Sequence, residues 1–212
     1  MPASTPIAST KSAALSRVID SIPKGYHKYT AGTVAPEKAE RMIRRLHQRH
    51  AIGATPAQRI TRKQHKRANA ILCTYSPAAS GVVHWLMLFT EGELDSAELL
   101  RDVTDKSRLN WLGYELVRHP TRGATSWTWR RPKTEMAEHY TLLRDSLGKH
   151  HYGVVADHLQ RIANQPGFHG VREQSWLLCQ FARKYGYAGE LPYLFYLQKI
   201  GHGDKLLLPD QI

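Results

Sequence analysis

Twelve of the 44 residues between positions 24 and 67 are Lys or Arg: Lys24, Lys28, Lys38, Arg41, Arg44, Arg45, Arg49, Arg59, Arg62, Lys63, Lys66 and Arg67. Only Glu37 and Glu40 oppose them, so this stretch carries +10 of the chain's formal +12 over 212 residues. A charged side chain left unpaired in an apolar interior is very costly. This segment must therefore keep most of its surface in water and bury only narrow stripes. Exposed faces normally mix signs, and one that scarcely does points to an anionic partner such as nucleic acid, an acidic protein or a membrane surface. The rest of the chain is close to neutral, and 42% hydrophobic residues suffice for a real core.

Two helices are expected inside the basic segment. Ala35 to His50 places Pro36 in a first turn and aligns Ala39, Met42, Ile43 and Leu46 along one stripe. Glu37–Arg41 and Glu40–Arg44 form i,i+4 pairs in the favourable order. Gly53 stops that helix. Thr55-Pro56 then caps a second one through about Ala68, whose stripe of Ala57, Ile60 and Ala68 is thin. Two helices joined by a short Gly-containing turn resemble a helix-turn-helix, whose second helix enters the major groove. The candidate nucleic-acid contacts are Arg41, Arg44, Arg45, Arg49, Arg59, Arg62, Lys63, Lys66 and Arg67, with Gln58, Gln64 and Asn69 as candidate readers of base edges. Were about six of these cations to neutralise phosphates, affinity would fall as roughly the fifth power of salt concentration. The competing reading is a solvated charged face with no ligand.

Elsewhere the pattern is that of an α+β body. Residues 1–11 are small and polar and read as a mobile tail. Leu15, Val18, Ile19 and Ile22 recur at helical spacing up to Pro23, as in a short docking helix. The Ser/Thr/Ala-rich start faintly resembles a transit peptide, without a cleavage signal. Ala70 to Tyr75 and Val82 to Thr90 read as strands, the second apolar on both faces except at His84, as expected of a covered central strand. Asp95 with Glu98 offers a capping box for a helix through Val103. Strands Leu112 to Arg118 and Ser126 to Arg131 follow, then helices Thr134 to Leu147, Gly153 to Asn164, Val171 to Tyr185 and Leu191 to Ile200. The expectation is a small antiparallel or mixed ββαββ sheet, with the basic helical pair before it and a helical layer after it. Its parts are 1–23 (tail and docking helix), 24–68 (basic pair) and 69–212 (body).

Chemistry-bearing constellations are few. Trp127 and Trp129 share a strand face with Arg131; exposed they would stack unpaired bases, but large aromatics on such a strand belong in the core, leaving Thr128 and Arg130 outside. His84-Trp85-Leu86 compares with the paired-histidine strand of HUH endonucleases but lacks the second histidine, and Tyr140, a nominal nucleophile, has nothing around it to complete a site. A buried, hydrogen-bonded His84 fits better. Glu135, Glu138, His139, His150, His151, Asp157 and His158 cluster in sequence without a tight metal-ligand spacing. Walker, dinucleotide and G-x-S-x-G motifs are absent. Cys73 and Cys179 make no disulfide framework, and no apolar run is long enough to span a bilayer. No catalytic residue, metal or cofactor is assigned, and the block Pro166 to Gln174 reads as a turn followed by a helix start.

Three stretches, Thr55-Pro56-Ala57-Gln58-Arg59, Tyr114-Glu115-Leu116-Val117-Arg118 with Trp127-Thr128-Trp129-Arg130, and Gly167 to Gln174, together resemble small basic accessory proteins of bacterial plasmids and integrative conjugative elements. The resemblance implies a bacterial, cytoplasmic, DNA-related setting and assigns no residue a role. Three functions are weighed: a nucleic-acid-binding protein with DNA preferred over RNA, an adaptor docking an acidic protein or nucleoprotein complex, and a nuclease or strand-transfer enzyme.

Overall fold

A strand that is apolar on both faces needs a neighbour on each edge and a cover on each side. In the computed structural model, Val83–Phe89 (β4) has both. The structure describes residues 5, 7–77, 81–94, 99–119, 126–197 and 205–206. The chain divides into two compact units, Met1–Arg108 with Ile200–Ile212, and Leu109–Lys199. It is α+β, as expected, but the basic helical pair is not a body of its own and the two expected strand pairs belong to different sheets.

The first unit is built on a six-stranded mixed sheet. Its strands are Ile7–Ala8 (β1), Lys28–Val34 (β2), Ala70–Tyr75 (β3), β4, Arg101–Asp102 (β5) and Lys205–Leu206, here called β9, in the order β5-β2-β4-β3-β1-β9. Only β1 and β3 run parallel among these pairs. The register sets Ala70 opposite Phe89 and Leu72 opposite Met87. On that face Ile43, from helix α2 (Pro36–His50), joins Ile52, Ala70, Leu72, Met87 and Phe89 in one buried cluster. The alternate residues Cys73, Leu86 and Leu88 are buried too. Helix α1 (Lys11–Ser21) is capped by Thr10 and packs against β3, burying Leu15 and Val18.

This unit departs from three expectations. The stretch read as a mobile tail contributes β1, whose Ile7 and Ala8 pair with Thr74 and Tyr75. Residues 28–34, read only as part of the basic segment, form a seven-residue strand against β4. Their own alternation is weak (Ala31 and Thr33 are exposed), so it is pairing with an apolar neighbour that makes them a strand. The helix expected from Asp95 to Val103 is not formed at its end: Arg101 and Asp102 pair with Tyr29 and Lys28, and Asp102 Oδ1 accepts from the Thr104 amide and hydroxyl. Its start, residues 95–98, lies outside the described residues.

The second unit joins a three-stranded antiparallel sheet, Asn110–Trp111 (β6), Tyr114–Arg118 (β7) and Trp127–Arg130 (β8), to helices Lys133–Gly148 (α4), Tyr152–Ala163 (α5) and His169–Lys184 (α6). The helices share a core that includes Leu143, Val155, Leu159 and Leu178. Trp129 is fully buried, as expected, while Trp127 is half-buried with the Arg118 guanidinium 5.3 Å from its ring centre. Thr128, expected outside, is also buried: its hydroxyl accepts from the Gly170 amide, one of the first-turn donors that a helix cannot satisfy internally. Gly170 is required there, since a Cβ would stand 2.6 Å from the Trp129 carbonyl oxygen.

Arg131, just past β8, is buried completely. Its Nε donates to Gln165 Oε1 at 2.6 Å, Nη1 to the Val171 carbonyl at 3.0 Å, and Nη2 to the Ile162 carbonyl at 3.3 Å and Ser175 Oγ at 2.9 Å. Gln174 clamps the same residue's backbone, accepting from its amide and donating to its carbonyl. Burial pushes the guanidinium pKa down, with Glu135 3.8 Å away as partial compensation. The block Pro166 to Gln174 is therefore the docking seam between sheet and helices. The helix expected at Leu191 to Ile200 is absent from the described part, 191–197: its backbone bonds sideways, Leu197 N–H to the Gly167 carbonyl and the Leu194 carbonyl to Arg172 Nε.

Arg131→Ala should lower stability by about 3 kcal/mol or more, because it strands buried acceptors that each cost about 1–3 kcal/mol. Urea unfolding followed by tryptophan fluorescence reads this unit, which holds four of the five tryptophans. An unshifted midpoint for Arg131→Ala would contradict the role assigned, and Arg131→Lys, lacking the planar fork, should not restore stability.

Candidate nucleic-acid interface

Helix α2 presents its arginines by default of geometry. At about 100° per residue, the buried Ala39, Ile43 and His50 define one side. Arg41, Arg44, Arg45 and Gln48 then fall on the opposite side with Arg49 at its flank, and all five are exposed. Arg41 and Arg45 are separated along the axis by about 6 Å, as are Arg45 and Arg49. An open groove of about 460 Å³ runs along this face, lined by Glu37, Glu40, Arg41, Arg44, Arg45 and Gln48. Glu40 holds Arg44, its Oε1 accepting from Nε at 2.6 Å. The sequence also pairs Glu37 with Arg41, yet Arg41 and Arg45 make no ion pair among the described residues. Acids at the start of the helix and cations toward its end also suit its dipole.

Helix α3 (Pro56–Gln64) departs more from expectation. It is shorter than the stretch to Ala68 and buries no side chain. The two helices of a helix-turn-helix pack on each other; here α2 gives its apolar stripe to the sheet instead, and Ile60 of α3 is 61% exposed. Arg59 and Arg62 are half-buried. The Arg62 guanidinium donates twice to the Ala68 carbonyl, from Nε at 3.2 Å and Nη2 at 2.7 Å, which occupies two of its five donors. Two of the three expected base readers are also engaged. Gln58 completes the capping box with Thr55, and buried Asn69 donates from Nδ2 to the Arg59 carbonyl. Gln64 is exposed.

Lys63, Lys66 and Arg67 are exposed. Lys66 and Arg67 lie beyond the helix, in a turn bonded to residues 92–93: the Glu93 amide donates to the Lys66 carbonyl and the Ala68 amide to the Glu93 carbonyl. Gly92, at φ +134°, lets these backbones meet; a Cβ there would come within 2.6 Å of the Ala68 nitrogen. Lys66 itself sits at φ 56°, left-handed backbone that favours glycine. Lys66→Gly should therefore raise or preserve thermal stability while removing one outward cation, and a fall in the melting temperature would contradict the strain.

The other candidates are not brought together. His84 is half-buried on β4, not enclosed as expected, and stands opposite Thr33 and Tyr75 in the register. Tyr140 belongs to the other unit and packs edge-on against Phe181 at 5.0 Å. Among the described residues, no three His, Cys, Asp or Glu side chains converge as a metal site. Both cysteines are buried, and burial pushes the Cys73 thiol up to about 11. No helix among the described residues is long and apolar enough to cross a membrane. No known protein family matches the chain, and neither a curated protein nor a solved structure matches it.

One histidine pair survives from the cluster expected in α4 and α5. His139 Nδ1 and His158 Nε2 lie 3.2 Å apart, and His139 Nε2 lies 3.5 Å from Glu135 Oε1. Such a contact needs one nitrogen to keep its lone pair. Burial first, then the charge of His139 and of Arg161, lowers His158 from 6.5 to about 4. The unfolded chain takes up this proton near 6.5, so the pair's contribution is complete above that pH and is lost as pH falls toward about 4. The urea midpoint of the second unit should accordingly drop over that range, and His158→Gln should flatten the drop.

Proposed function

We propose that the protein binds nucleic acid, duplex DNA by preference, through phosphate contacts made chiefly by the outward face of α2. One observation carries this reading: Arg41, Arg44 and Arg45 share the side of α2 opposite its buried stripe with Arg49 at its flank, and Arg41 and Arg45 have no ion-pair partner among the described residues. Lys63, Lys66 and Arg67 are exposed nearby in the sequence and supply further cations, while Arg62 is engaged by the Ala68 carbonyl. With Gln58 and Asn69 engaged internally, little is left to read bases, so binding is largely indifferent to sequence. This chemistry fits a basic accessory protein of a bacterial mobile element acting in the cytoplasm, the setting that the sequence resemblance implies.

A second reading, docking of an acidic protein, is favoured by Ile60, which stands 61% exposed on a helix that also carries Arg59 and Lys63. An apolar residue among cations suits a protein groove better than a phosphate backbone.

Fluorescence anisotropy with labelled duplex DNA over a range of salt separates the two. The Arg41→Ala, Arg45→Ala double variant should weaken binding at low salt and reduce the slope of log affinity against log salt by about 2. An unchanged slope and affinity would remove α2 from the interface. Ile60→Asp should leave duplex affinity within about threefold if phosphates are the ligand, since it adds only one local charge.

A further inference from the structure

Trp129, a ring that the sequence offers as a base-stacking group, is buried, yet the same unit exposes other aromatics. Tyr193 is 74% exposed, Phe195 63%, Trp176 50% and Tyr196 39%. One guanidinium lies beside Tyr196 and holds the segment that also carries Tyr193 and Phe195. Arg172 in α6 donates from Nε to the Leu194 carbonyl at 3.2 Å and lies 5.7 Å from the centre of the Tyr196 ring. Trp176 is its i,i+4 neighbour on the helix surface. Tyr193 and Phe195, two residues apart in a non-helical segment, meet edge to face at 5.0 Å. Leu197 N–H, bonded to the Gly167 carbonyl, and the Phe195 carbonyl, against which Gly167 leaves no room for a Cβ, anchor this segment on the turn before α6. Single exposed rings are ordinary, but three within four residues, two of them in contact, form a contiguous patch, and here the backbone beneath them is anchored.

We infer that this aromatic ledge, Trp176–Arg172–Tyr196 with Phe195 and Tyr193, binds single-stranded DNA by stacking unpaired bases on its rings. The inference rests on the nucleic-acid reading above and adds a second surface with a different ligand form. Rings interleaved with a guanidinium are the combination that single-strand binding uses: every base has a face to stack, and the cation neutralises the backbone. The occupant competing with DNA is a second copy of this chain. Net charge argues against that, because each copy carries a formal +12 and this unit alone has twelve Lys and Arg against seven Asp and Glu over residues 109–199. Glu173 and Glu190 are the acids on the same stretches, and neither makes an ion pair with Arg172 among the described residues.

The test is titration of the full chain with a short oligo-dT, an oligo-rU of equal length and a duplex, at low and raised salt. Tyr193→Ala with Phe195→Ala should weaken oligo-dT binding at least tenfold at both salts, each ring being worth about 5- to 100-fold. Duplex affinity should stay unchanged, and Tyr193→Phe should bind oligo-dT as the unaltered chain does. Trp176→Ala should weaken oligo-dT binding in the same way. Unchanged oligo-dT affinity in the double variant overturns the ledge, as does tighter binding of oligo-rU than of oligo-dT. A shift in sedimentation with oligo-dT binding intact would assign the surface to self-association and overturn it too. If the α2 double variant keeps its duplex affinity while the ledge variants lose oligo-dT, the earlier reading fails and this one stands.

Discussion

A guanidinium with no water around it governs the second unit. Arg131 reaches Gln165 after α5, the Ile162 carbonyl within α5, and Val171 and Ser175 in α6, so one side chain from the end of a strand ties the sheet to two helices. Removing an ion from water is so unfavourable that each of those acceptors must be in place at once, which makes the arrangement cooperative. Gln174 and Gly170 complete it, the first by pairing with the Arg131 backbone and the second by letting α6 come against the Trp129 carbonyl. The seam also fixes the turn on which the extended segment of Tyr193 and Phe195 is held.

In the first unit the corresponding constraint is apolar. β4 is covered on both faces, and the cluster of Leu72, Met87 and Phe89 takes up the stripe of α2. Once Ala39 and Ile43 are buried on the sheet side, Arg41, Arg44 and Arg45 are turned to the opposite, exposed side, where Glu40 takes up Arg44. The basic surface is thus a consequence of burial on the other side of the helix. Helix α3 has no such constraint. It is held by its capping box and by polar contacts, Arg62 to Ala68 and Asn69 to Arg59, which consume groups that could otherwise meet a ligand.

Much of this was legible along the chain. The α2 stripe, the Thr55-Pro56 start, the covered strand and the three long C-terminal helices all follow from local spacing and punctuation. What was not legible came from partners distant in sequence. Residues 28–34 become a strand only because β4 lies alongside, and Leu191 to Leu197 avoid a helix because Gly167 and Arg172 take their backbone groups. The helix-turn-helix likeness rested on two helices in succession, a pattern that does not say whether they share a core.

The sequence alone determined where the charge lies and that it must be outside, since twelve cations against two acids within 44 residues have no other stable place. It could not decide which cations remain available. That depended on carbonyls and carboxylates brought near by folding, so Arg62 and Arg44 found partners while Arg41 and Arg45 make no ion pair among the described residues. Nor could it decide which aromatics are exposed: Trp129 and Tyr193 look alike as large rings in the chain, and only packing against α6 hid the first and left the second in solvent.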